Sequence, residues 1–121
     1  MLIADDSPMM QDRLKVWLET IPGLSIVGQV VDARSILEMI HLQQPEVVIL
    51  DMHLPGGGLK ILEQIKSNPK SPIVVVFSAF ATAFHHEKCL LSGADFFFDK
   101  TSELKEFQAA LRLLVSQRLE S

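Results

Sequence analysis

Short apolar runs alternate with longer amphipathic stretches along the whole chain. Residues 1–4 read as a short strand. Ser7 then offers an N-cap, and Pro8 falls in the first helical turn, where proline is tolerated. Met10, Leu14, Trp17, Leu18 and Ile21 follow at helical spacing until Pro22-Gly23 stops the helix. Residues 25–31 read as a second strand. Asp32 caps a second helix that buries Ile36, Leu37 and Ile40. The uninterrupted apolar run at 47–50 has the look of a strand covered on both faces. A loop with Pro55 and Gly56, Gly57 and Gly58 leads into a third helix that ends near Ser67. Residues 73–77 form a fourth buried strand, and 83–91 a helix closed by Gly93. Residues 96–98 lie in a fifth strand. Thr101 or Ser102 is expected to cap the last helix, with Leu104, Phe107, Leu111, Leu114 and Val115 on its inner stripe.

Strand followed by helix, repeated, predicts an α/β fold: a doubly wound (βα)5 domain over residues 1–121. Its five-stranded parallel sheet carries helices on both faces, joined by right-handed crossovers. Such sheets bind ligands outside the carboxyl ends of their strands. Composition agrees with one globular domain: 121 residues, 48% hydrophobic and 21% charged. A net charge of −4 gives no electrostatic footprint for direct nucleic-acid binding. No apolar run approaches the roughly 18 residues of a membrane helix, and the opening MLIADD has no secretory signal pattern. A lone cysteine, Cys89, has no partner for an internal disulfide, which suits a reducing, cytoplasmic setting.

Charge becomes informative where it meets the strand ends. Strand one runs into Asp5-Asp6, strand three into Asp51, strand four into Ser78, and strand five into Asp99-Lys100. Any one of these alone is more often a helix cap, a turn residue or a solvated charge. Together they converge on one edge of the sheet. Three carboxylates in one place repel each other unless a hard divalent cation such as Mg2+ joins them through oxygen. Asp51 is the natural nucleophile, since an ionised carboxylate can form an aspartyl phosphate. Lys100 and the Ser78 hydroxyl can meet the charge that builds on phosphoryl oxygens.

The segments IADD, VVILDMHLP, VVVFSA and GADFFFDK resemble the receiver domains of two-component signalling over essentially the whole chain. The resemblance implies a flavodoxin-like fold with strand order 2-1-3-4-5 and makes Asp51 the phosphoacceptor. It makes Asp5, Asp6, Asp51 and the backbone carbonyl of His53 ligands to Mg2+ or Mn2+, Ser78 the hydroxyl that follows the phosphoryl group, and Lys100 its counter-charge. Phe97 matches the aromatic switch position. The implied partners are a sensor histidine kinase or histidine phosphotransfer protein and a downstream protein target or output domain. A homodimer through the helix 4–strand 5–helix 5 face is also implied. No enzymatic turnover is expected beyond self-catalysed phosphorylation and dephosphorylation.

Three positions depart from the pattern. The loop after Pro55 is shortened around three glycines, Thr101 follows the lysine where many receivers have a cis proline, and Phe97 lacks a phenolic hydroxyl. A cis bond before threonine costs about 3–4 kcal/mol, so a trans bond is expected there. Phe80 and Phe84 are read as core or, by a small preference, as an apolar docking patch for a partner, with His53 and Phe80 flanking the phosphoryl site and limiting water access to it. His85 and Cys89 have a metal-compatible spacing but no further local ligands, and inert packing is the expectation. Two other functions fit less well. A small phosphatase working through an aspartyl phosphate wants an acid where His53 stands and a cap over its substrate. A phosphorylation-independent interaction module has no use for the full acidic set.

Overall fold

The computed structural model describes residues 1–79 and 83–120, with side chains except at 84 and 118–120. The uninterrupted apolar runs form the inner strands: β3 (Val47–Leu50) is buried throughout and β4 (Ile73–Ser78) is buried beyond Ile73. With β1 (Leu2–Ala4), β2 (Gly28–Val30) and β5 (Phe96–Asp99) they make one parallel sheet in the order β2-β1-β3-β4-β5. Five helices alternate with the strands: α1 (Pro8–Leu18), α2 (Ala33–Gln43), α3 (Leu59–Lys66), α4 (Ala83–Leu91) and α5 (Leu104–Glu120). Among the described residues, no helix is long and apolar enough to cross a membrane.

Alternation along the strands divides the core into two layers. Leu2, Ala4, Val48, Leu50, Val74, Val76 and Phe97 face α2, α3 and α4, where Ile36, Ile61, Leu62, Ile65 and Cys89 meet them. Ile3, Val47, Ile49, Val75 and Phe77 face α1 and α5, against Leu14, Leu18, Phe107, Leu111 and Leu114. Phe77 and Phe107 stack with ring centroids 3.9 Å apart at the centre of this second layer.

Most elements begin and end for visible reasons. The Ser7 hydroxyl accepts from the Met10 N–H, and the Asp32 carboxylate accepts from the Ser35 N–H, so α1 and α2 have the expected caps. Gly93 takes φ 111° after α4, and a Cβ there would lie 2.8 Å from the Lys66 side chain. Three expectations need correction. The second strand spans only Gly28–Val30, because its single neighbour, β1, is itself three residues long. Leu37 is 38% exposed at the rim of α2 and leaves the core to Ile36. The last helix is capped neither by Thr101 nor by Ser102. The Thr101 N–H and hydroxyl both turn back to the Asp99 carboxylate, and the Glu103 carbonyl accepts the first helical N–H, from Phe107. Leu104 thereby falls outside the inner stripe, 48% exposed.

Candidate functional site

Sheet register brings the acidic residues together. Ala4 pairs with Leu50, and the Asp51 N–H donates to the Ala4 carbonyl at 2.9 Å, so Asp5 and Asp51 leave the sheet side by side. They do so between β1 and β3, where the strand order reverses and open α/β sheets form their crevice. On the other flank Leu50 pairs with Val76, and Ser78 pairs with Asp99. Ser78 therefore reaches the same edge one strand over from Asp51, and Lys100 two strands over.

The side chains complete what the register begins. Asp51 is 4% exposed, and its Oδ1 accepts from the Ser78 hydroxyl at 3.1 Å and from the His53 N–H at 3.0 Å. Its Oδ2 lies 3.2 Å from Lys100 Nζ, which also donates to Asp5 Oδ2 at 2.5 Å. The other oxygen of Asp5 accepts the Ser7 N–H at 2.9 Å. Asp6 stands exposed beside them, and oxygens of Asp5, Asp6 and Asp51 all fall within 4.8 Å of one another. One ammonium among three carboxylates leaves negative charge uncompensated in a partly buried place. That donor set, all hard oxygen and partly open to solvent, fits Mg2+ or Mn2+, which keep waters in their shell.

The remaining sequence candidates occupy defined places. The His53 imidazole Nε2 lies 3.0 Å from the Ala79 carbonyl, joining the loop after β3 to the loop after β4. Phe97 is 6% exposed and stacks on the His86 ring of α4 at 4.6 Å, with His85 tilted against it at 6.1 Å. No cis peptide occurs among the described residues, and the bond before Thr101 is trans. Phe80 and the side chain of Phe84 lie outside the described residues, and with them the docking patch and the flanking of the phosphoryl site. Cys89 is fully buried, and burial pushes its thiol up to about 11. Among the described residues, Asp5, Asp6 and Asp51 form the group able to share a metal ion, and the His85–Cys89 pair belongs to no such group.

Sequence reasoning missed Gln11. It is 6% exposed on the inner face of α1, in line with Leu14 and Leu18. Its amide nitrogen donates to the Asp5 carbonyl at 2.6 Å and to the Val30 carbonyl at 2.8 Å. A polar residue three and seven positions before two buried leucines was the available signal.

Comparison with known proteins agrees with this fold. The family model of the response regulator receiver domain matches residues 1–112. A protein-glutamate methylesterase/protein-glutamine glutaminase of Treponema pallidum is 37% identical over 102 residues, 82% of this chain and 25% of that protein. The nitrate/nitrite response regulator protein NarL of Escherichia coli K12 is 29% identical over 115 residues, 91% of this chain and 51% of that protein. The chain thus spans about a quarter to a half of these relatives. The signal receiver domain of a DNA-binding response regulator from Colwellia psychrerythraea 34H superposes with a TM-score of 0.86 at 24% identity, covering 95% of this chain and 96% of that one. At that identity the likeness is one of fold.

Proposed function

Because the chain belongs to the response regulator receiver domain family, we propose that Asp51 accepts a phosphoryl group from a histidine kinase or a histidine phosphotransfer protein. Modification then changes the surface offered to a protein partner. The observation that carries this reading is the Asp51 carboxylate itself: 4% exposed, at a strand end, with Ser78, His53 and Lys100 all donating to it.

An Asp51 oxygen attacks phosphorus as the bond from phosphorus to the donor's imidazole nitrogen breaks. The imidazole leaves with that electron pair, and an acyl phosphate remains on Asp51. Lys100 and Ser78, already within 3.2 Å of the carboxylate oxygens, donate to the transferred group's oxygens and stabilise charge as it develops. Asp5, Asp6, Asp51 and the backbone carbonyl of His53 would hold Mg2+ or Mn2+, which when bound supplies the counter-charge that lets a phosphoryl group approach three carboxylates. Water later cleaves the acyl phosphate and regenerates Asp51, so the chain turns over no separate substrate. The Ser78 hydroxyl follows the phosphoryl group. Phe97 passes the change to α4 through its stack on His86 and so to the α4–β5–α5 face, the proposed surface for a target, an output domain or a second copy. The proposed setting is the cytoplasm, with no direct contact to nucleic acid or membrane.

Intact mass after incubation with phosphoramidate or acetyl phosphate tests the reading. The parent chain is expected to gain one phosphoryl group only when Mg2+ is present, and Asp51→Asn none. No gain in the parent would end the phosphoacceptor assignment and favour an interaction module that works without phosphorylation.

A further inference from the structure

Among the described residues four polar or charged side chains are buried: Asp5, Gln11, Asp51 and Ser78. Three carry the proposed chemistry. The fourth, Gln11, reaches the same sheet edge from α1 and spends its amide on two backbone carbonyls. Those carbonyls are special ones. The Ala4 carbonyl is taken by the Asp51 N–H, and the Asp5 N–H donates to the Val30 carbonyl at 3.1 Å, so the ladder is complete up to that rung. With β2 finished at Val30, no strand supplies a donor to the Asp5 carbonyl. Gln11 supplies it, and ties the same amide to the last carbonyl of β2.

The Asp5 carbonyl lies in the peptide plane that joins Asp5 to Asp6. Rotation about the Cα–C bond of Asp5 turns that plane and carries the Cα of Asp6 with it, and so moves the Asp6 carboxylate relative to its neighbours. The Asp5 carboxylate has its own restraints, from the Ser7 N–H and Lys100. Exposed Asp6 depends on the backbone that carries it. The geometry points to Gln11 as a positioning residue for the divalent-cation site: its amide locks the Asp5–Asp6 peptide plane and so sets the spacing of Asp6 against Asp5 and Asp51. This inference rests on the proposed reading of the acidic group as a Mg2+ or Mn2+ site. A cation that demands near-octahedral geometry is sensitive to such spacing, and loss of partners behind the ligands typically weakens metal binding about 10–100-fold.

Mn2+ binding to the full chain, followed by loss of the paramagnetic resonance signal of free Mn2+, gives the test. Gln11→Met keeps volume and removes both hydrogen bonds. Its Mn2+ dissociation constant is expected to rise about tenfold. Leu114→Val, a core change against α5 remote from the acidic group, controls for lost stability and is expected to stay within about twofold of the parent, as distant sites act independently. Gln11→Asn keeps the amide but shortens its reach; it is expected to fall between parent and Gln11→Met, and it stands in if Gln11→Met does not fold. Unchanged affinity in the Gln11 variants overturns the positioning role and leaves the metal reading intact. Equal weakening in Leu114→Val also overturns it, as a general stability effect. Absence of Mn2+ binding in the parent overturns both.

Discussion

Lys100 holds two buried carboxylates at once, with side-chain exposures of 11% for the lysine, 4% for Asp5 and 5% for Asp51. Removing one member of such a group leaves charge buried without compensation, typically a loss of about 3–5 kcal/mol. Lys100→Met is therefore expected to destabilise the metal-free chain by about that amount in urea unfolding. Added Mg2+ should restore part of the loss by replacing the missing positive charge. A variant as stable as the parent would show that the ion pairs contribute nothing net. The residues of this group were legible in the sequence because each falls within two residues of the end of an apolar run, and strand ends of a parallel sheet share one edge. Gln11 was not, because a helical stripe is recognised by its apolar members, and an amide among them looks like an interruption until its two carbonyl partners are seen.

At the scale of elements, starts and stops depend on which way a polar side chain turns. Asp32 turns forward: the Ser35 N–H, first, and then the Ser35 side chain hold its carboxyl below the usual carboxylate range, against a smaller opposing effect of desolvation, with Arg34 adding least. A carboxylate depressed in the folded state stabilises above its unfolded pKa, and that contribution disappears as pH falls through the folded value. Asp32→Asn keeps an oxygen for the Ser35 N–H but cannot titrate. Its urea midpoint is expected to fall less than that of the parent between roughly pH 5 and pH 3. Equal falls in both proteins would remove Asp32 from the acid response. Thr101 turns backward to Asp99 instead, which is why the start of α5 was misread: a hydroxyl before a helix can serve either neighbour, and only the folded loop decides. The strands at 47–50 and 73–77 were readable for the opposite reason. Burial on both faces demands unbroken apolar residues, whereas the short edge strand β2 is limited by its partner.

For the molecule as a whole, cation binding at the proposed site would be linked to folding. A cation that binds only where Asp5, Asp6 and Asp51 are assembled adds stability that grows with the logarithm of its concentration once it exceeds the dissociation constant, about 2.7 kcal/mol at a hundredfold excess. Thermal unfolding of the parent should accordingly shift upward with Mg2+ concentration, while Asp51→Asn shifts less. A midpoint indifferent to Mg2+ would speak against a native-state cation site. The overall architecture was legible because strand and helix periodicities alternate cleanly, and a parallel sheet leaves few ways to connect them. The contact between Lys100 and Asp5 closes 95 residues of chain. During synthesis the chain emerges from its amino end, so the acidic residues leave the ribosome long before their lysine does. A nascent chain therefore carries these carboxylates without their counter-charge, and the group is assembled only when β5 docks.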